Sequence, residues 1–215
     1  MLTTLTDRWI SDDLTINGRT IHYTRTGGDK PPLLLVHGFT DGGLMWAKLA
    51  RDLEDQFDVL MPDAYGHGTS TRADAPISLD DMADDLIGAL ELLDLSNLIV
   101  LGFSMGASVT ALAAAQRPDL FKAIILEDAP WYAGERPDAA TGVNWEEWYQ
   151  WLESVQKQSK DEAMVQAQKE NPDWDLLDIE TYIDSRQQVD LQIFGHFPIG
   201  FAQKLLPPTS RATTG

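Results

Sequence analysis

The sequence predicts an α/β protein, a mostly parallel and doubly wound sheet followed by a helical segment. Three observations carry that expectation. Between residues 31 and 130, short leucine-rich or β-branched runs alternate with amphipathic stretches, which implies right-handed crossovers and helices on both sheet faces. The loops 37–43, 63–70 and 127–131, together with the turn at Ser104, all follow such runs. They therefore gather at the carboxyl ends of the strands, where open α/β sheets hold ligands. After Trp131 the chain turns helical, acidic and rich in tryptophan, with five of its seven tryptophans at or beyond that point.

Taken in order, Trp9 to Ile16 and Arg19 to Thr26 read as two strands joined across Asn17-Gly18, a dipeptide suited to a two-residue hairpin. Leu33-Leu34-Leu35-Val36 is apolar at every position, the composition of a central strand buried on both faces. Met45 to Leu53 carries apolar residues at helical spacing, and Val59-Leu60-Met61 is the next strand. Ser78 to Leu95 is an amphipathic helix: Ser78 suits its N-cap, and Asp80 and Asp81 suit the positive end of its dipole. Asn97 to Leu101 is a further buried strand, and from Met105 an alanine-rich helix runs until Pro118 closes it. Ala123 to Leu126 is the last strand. Beyond it, Trp145, Trp148, Tyr149 and Leu152 recur at helical spacing, a packing stripe that in a lid also roofs a pocket. The expected division is a core over residues 1–130, a helical lid over 131–205 and an unstructured tail over 206–215.

Composition bounds the function. A chain of 215 residues buries one good core. The net charge of −18 argues against nucleic acid and anionic membrane surfaces as partners, because phosphate attraction needs the opposite sign. Without cysteine there is no thiolate nucleophile and no cysteine-ligated metal, and no metal-ligand spacing or cofactor motif is present. The opening MLTTLTDRWISDD lacks an apolar signal core and no run is long enough to span a bilayer, so the default location is cytoplasmic.

The chemistry concentrates at Gly102-Phe103-Ser104-Met105-Gly106, between strand and helix. The two glycines permit a turn too tight for a Cβ, which lifts the serine hydroxyl above the sheet edge. The helix starting beneath it aims the Met105 amide at any oxygen that develops negative charge nearby.

With His37-Gly38-Phe39 after one strand and Asp63-x-x-Gly66-His67-Gly68-x-Ser70 after the next, this pentapeptide resembles the α/β-hydrolase fold. The order and spacing are similar to the lidded branch that includes esterases, carbon–carbon bond hydrolases, epoxide hydrolases and haloalkane dehalogenases. The resemblance implies Ser104 as nucleophile, forming an acyl-enzyme, with the Phe39 and Met105 amides as oxyanion hole. It places His37, Gly38 and Trp131 at a substrate pocket for an apolar ester or acyl compound. His37 reads either as a base or as a brace of the oxyanion loop, and His67 resembles a second brace. Serine rather than aspartate at the elbow disfavours dehalogenase and epoxide-hydrolase chemistry.

The chain also departs from the family. Members continue after the lid with two more strands, followed by the triad aspartate and histidine; here the last strands are missing. Only His22, His37, His67 and His196 exist, and His196 falls inside the lid region. Asp128 follows the strand after the elbow helix, from which some members supply their acid; its other reading is a loop carboxylate that lines the pocket or caps a turn. The missing strands leave an apolar sheet edge uncovered and open to pairing with a second copy. The expectation is a serine hydrolase of carboxylic esters, weak or inactive as given for want of the triad histidine. A non-catalytic binding protein and a cofactor-free haloperoxidase or oxygenase are the alternatives.

Overall fold

The Asn17-Gly18 turn closes a hairpin of β1 (Ile10–Ile16) and β2 (Arg19–Arg25), paired antiparallel from Ile10 opposite Arg25 to Ile16 opposite Arg19. The computed structural model describes residues 6–129 and 145–196. β2 joins the hairpin antiparallel to β4 (Asp58–Pro62). From there β4, β3 (Pro32–Val36), β5 (Leu98–Phe103) and β6 (Phe121–Glu127) run parallel, in the order β1-β2-β4-β3-β5-β6. This is the α/β arrangement the alternating runs predict.

The apolar run of β3 explains the two-sided packing, because successive side chains point to opposite faces. Leu33 and Leu35 join Val59, Met61, Ala47 and Ala50 in one core, so α1 (Ala47–Leu53) covers that face. Leu34 and Val36 join Met82, Leu86 and Val109 in the other, beneath α2 (Leu79–Leu92) and α3 (Met105–Gln116). Ser78 caps α2 in a reciprocal capping box with Asp81, as its position predicts. The helix expected from Met45 begins differently. A tight 3₁₀ turn (Gly43–Trp46) precedes α1, with the Met45 amide bonded to the Gly42 carbonyl at 3.0 Å and the Gly43 amide held by Asp63.

Beyond the sheet come α4 (Trp145–Gln156), α5 (Lys160–Glu170), α6 (Leu176–Gln187) and the short α7 (Ile193–His196). Ala163 and Ala167 of α5 pack on Ile179 and Ile183 of α6. Leu152, Val189 and Ile193 enter the same core as Leu34 and Met105, and Leu152 and Ile193 are fully buried. Burial of this kind is worth about 1.5–3 kcal/mol per side chain, enough to dock these helices firmly. Asp190 adds polar stitches: its amide reaches the Gly66 carbonyl, and its carboxylate accepts from the Ala73 amide and pairs with Arg72. The aromatic stripe of α4 divides accordingly. Leu152 packs inward, Tyr149 meets the Phe194 ring edge-on, and Trp148 stays 38% exposed.

Among the described residues β6 is a sheet edge, and its Ile124 and Ile125 are exposed. No described helix is long and apolar enough to cross a membrane. Trp131, residues 197–205 and the expected tail 206–215 lie outside the described residues.

Candidate active site

Ser104 stands where β5 gives way to α3, with φ 51° and ψ −112°. That backbone region costs a non-glycine residue about 1–3 kcal/mol and persists only where surroundings enforce it. The enforcement is visible. A Cβ on Gly106 would lie 2.4 Å from the Val36 carbonyl oxygen and 2.6 Å from that of His37. A Cβ on Gly102 would lie 2.4 Å from the Gly106 carbonyl oxygen. Strand end, elbow and helix start therefore approach as closely as backbones can. The Ser104 amide donates to the Glu127 carbonyl at 2.9 Å, which ties the elbow to the end of β6 and sets Asp128, itself at φ 49°, beside it. The Ser104 carbonyl accepts from Ala107 and Ser108, so α3 begins directly under the serine. Met105 contributes the first amide of that helix, a position without an intrahelical acceptor.

The loop after β3 carries Phe39 and is braced from below. His37 is fully buried; its Nε2 accepts from the Ala64 amide at 2.9 Å, which places the ring proton on Nδ1, donated to the Gly38 carbonyl at 2.8 Å. His67 lies between the Phe39 carbonyl, 2.6 Å from Nε2, and the Tyr65 carbonyl, 2.9 Å from Nδ1. Burial holds its pKa down to about 4, repulsion from His37 adds to the shift, and the carbonyl contacts oppose it. Asp63 accepts from the Gly43 amide on one oxygen and the Thr69 amide on the other. Both ring nitrogens of each buried histidine face backbone groups. His22 pairs with Asp13 on the hairpin, and the side chain of His196 lies outside the described set.

A cleft of about 730 Å³ opens above Ser104, within the range of small-molecule sites. The sheet side supplies Phe39, Phe103, Ser104 and Asp128; the helices supply Trp148 and Tyr182, and the turn between α5 and α6 supplies Trp174. Ser104, Asp128 and Phe39 thus meet at one place. Met105 is buried beneath it, and His37 lines a small inner cavity with Met105 and Asp63. Gly38 is not among the described residues lining the cleft.

Residues 31–170 match the alpha/beta hydrolase fold family. The chain belongs to the α/β-hydrolase fold family. Among relatives of this chain is the 2-(acetamidomethylene)succinate hydrolase of Mesorhizobium japonicum, 33% identical over 134 residues, which are 62% of this chain and 48% of that one. N-formylmaleamate deformylase of Pseudomonas putida is 34% identical over 119 residues, 55% of this chain and 44% of the relative. The aligned part spans less than half of either curated relative. The crystal structure of an N-formylmaleamic acid deformylase from Pseudomonas putida superposes with a TM-score of 0.72 at 28% identity, over 87% of this chain and 71% of that one. A thermophilic esterase from Thermogutta terrifontis superposes with a TM-score of 0.64 at 25% identity, over 90% of this chain and 72% of that one.

Two cleft features have no signature in the sequence. Arg186 of α6 reaches Asp41 of the loop after β3, Nη1 3.2 Å from Oδ1, with its guanidinium 3.5 Å from the Tyr182 ring centre. Lys48 of α1 reaches Asp175 and Asp178 at the start of α6. Such pairs join distant segments, so no local pattern announces them.

Proposed function

We propose that the chain is a serine hydrolase acting on carboxylic esters or related acyl substrates through an acyl-enzyme on Ser104. The carrying observation is the strained backbone of Ser104 at the head of α3, directly beneath the cleft. In this reading Oγ attacks the substrate carbonyl, and the Phe39 and Met105 amides receive the developing oxyanion. The hydroxyl proton passes through a base to the leaving group, and water then releases the acid. Each oxyanion donor is worth about 3 kcal/mol in such sites. Asp128 lines the cleft beside the elbow as candidate acid. The named activities of the relatives, hydrolysis of an acetamidomethylene succinate and deformylation of an N-formyl amide, fit acyl cleavage as the class of reaction.

Among the described residues no histidine lines the cleft. Loss of the base costs roughly 10⁴–10⁶ in rate, so the chain as given turns over weakly. The test is intact mass after prolonged treatment with a fluorophosphonate, with Ser104→Ala as control. One slowly formed adduct, absent from Ser104→Ala, is the expected result. An adduct that survives Ser104→Ala, or no adduct at all on folded protein, removes the nucleophile assignment; the latter outcome favours a binding protein that keeps the pocket.

A further inference from the structure

Arg186 carries donors that the fold does not use. It lines the cleft that holds Ser104, and its side chain is nine-tenths buried. Among the described residues the hydrogen bonding of its guanidinium is confined to Nη1, which donates to the Tyr182 carbonyl at 3.1 Å. Nη1 also lies 3.2 Å from Asp41 Oδ1, yet that oxygen has no hydrogen-bond partner among the described residues, so the two groups attract as charges without an aligned bond. Nε is buried and has no partner among the described residues either. A buried donor left without an acceptor costs free energy and calls for a reason. The contact with Asp41 is not that reason, since it needs only a positive charge near Nη1. The guanidinium is also held flat. Its central carbon lies 3.5 Å from the centre of the Tyr182 ring and 5.8 Å from that of Trp151. A rotation that carried Nε to another acceptor would give up this stacking.

What remains is the Nε–Nη2 edge, two parallel N–H groups in one plane, the fork that matches the two oxygens of a carboxylate. We infer that the acyl substrate of this cleft carries a carboxylate, taken up by the Nε–Nη2 edge of Arg186 while its acyl carbon lies at Ser104. Arg186 is then a specificity-determining residue, fixed in place before the substrate arrives, so little side-chain freedom is lost on binding. Because Nε is covered, seating the carboxylate requires the side chains over it to shift, a change of rotamer that binding commonly brings. The net charge of −18 slows an approaching anion, but salt screens that long-range repulsion, whereas a contact inside the cleft is screened far less. The inference rests on Ser104 as the acyl acceptor for its chemistry, but the recognition itself is measurable without turnover.

The experiment is calorimetric binding, at about 0.15 M salt, to the full chain carrying Ser104→Ala, so that no probe is consumed. Three isosteric esters are compared: monobutyl succinate, which ends in a carboxylate, butyl succinamate, which ends in a carboxamide, and butyl levulinate, which ends in a methyl ketone. Each is repeated with two further methylenes, so that reach does not decide the result. At one of the two lengths the carboxylate should bind about tenfold tighter than the ketone, with the carboxamide between them. Arg186→Lys keeps a charge near Asp41 but has no Nε–Nη2 edge, and should cut that advantage to about twofold. Lys48→Gln, at the other described cation of the cleft, should leave most of it. The comparison among the probes needs no change at position 186, so it stands even where Arg186→Lys fails to fold. A carboxylate no tighter than the ketone at both lengths, a carboxamide tighter than the carboxylate, or no binding of any probe overturns the inference. So does an advantage that survives Arg186→Lys or is lost in Lys48→Gln. Its failure is separable from that of the catalytic reading. A labelled Ser104 with no carboxylate preference sinks only the inference, and a carboxylate preference with an unlabelled Ser104 sinks only the acyl-enzyme.

Discussion

Removing Arg186 tests whether the helices beyond the sheet hold the loop after β3, the proposed oxyanion loop, through charge. Asp41 is 3% exposed, and its carboxylate faces Arg186 Nη1 at 3.2 Å. Arg186→Met keeps most of the apolar stem but leaves a buried carboxylate without a counter-charge, a change that costs about 3–5 kcal/mol. Asp41→Asn strands the guanidinium instead. There it keeps the Tyr182 carbonyl as acceptor at 3.1 Å and the Tyr182 ring as a face, so the cost falls to about 2 kcal/mol. The double variant pairs two uncharged groups and should fall short of the summed losses by about 2 kcal/mol or more. Urea titrations of the four proteins, followed by tryptophan fluorescence at neutral pH, give the cycle. Because single domains are stable by only about 5–15 kcal/mol, Arg186→Lys serves where Arg186→Met fails to fold, with an expected loss of about 1–2 kcal/mol. Additive losses, or less than about 1 kcal/mol for Arg186→Met, would refute the reasoning and make the pair an incidental contact.

Two further outcomes follow from the braces. Gly106→Ala drives a methyl group into the Val36 and His37 carbonyls, so it should cost about 2–3 kcal/mol in a thermal melt and slow fluorophosphonate labelling at least about tenfold. Gly195→Ala, whose Cβ would meet nothing within 4 Å, is the matched control and should leave both unchanged. His67 is held neutral in the fold by a pKa of about 4 against 6.5 unfolded, so the unfolded chain takes up the proton first on acidification. Its contribution is whole above pH 6.5 and is lost as the pH falls towards 4, by up to about 3 kcal/mol. His67→Gln should flatten that part of the stability profile; parallel profiles for the two proteins would contradict the assignment.

The sheet was legible because its signals are local. A fully apolar Leu33–Val36 run, a capped amphipathic helix from Ser78 and the glycines around Ser104 each dictate structure within a few residues. The 3₁₀ turn ahead of α1 was not, because it depends on the bond from Gly43 to Asp63, supplied by another loop. The split of the aromatic stripe was likewise hidden: helical spacing puts Trp148 and Leu152 on one face, but only the position of α4 over the cleft decides which of them meets solvent. Arg186 reads in sequence as an ordinary basic residue in the last turn of a helix. Its pairing with Asp41 emerges only when α6 lands on the loop after β3.

The braces and the cleft also divide the electrostatic work around Ser104. Beneath the loop, His37 satisfies both ring nitrogens as a neutral group, and the Asp63 carboxylate takes two backbone amides. A neutral His67 has one proton for two carbonyls. Placed on Nε2, it serves Phe39 at 2.6 Å and leaves a lone pair facing Tyr65, a lesser cost than charging a ring with no solvent contact. Asp41, the carboxylate within the loop itself, is paired with Arg186. Hence each group that braces the loop after β3 is neutral, or is met by backbone amides or a cation, and in the proposed chemistry an oxyanion at Ser104 would meet oriented amides. Asp128 and Asp173 line the cleft above that floor, and in the proposed reaction they are the carboxylates among the described residues that a substrate meets first.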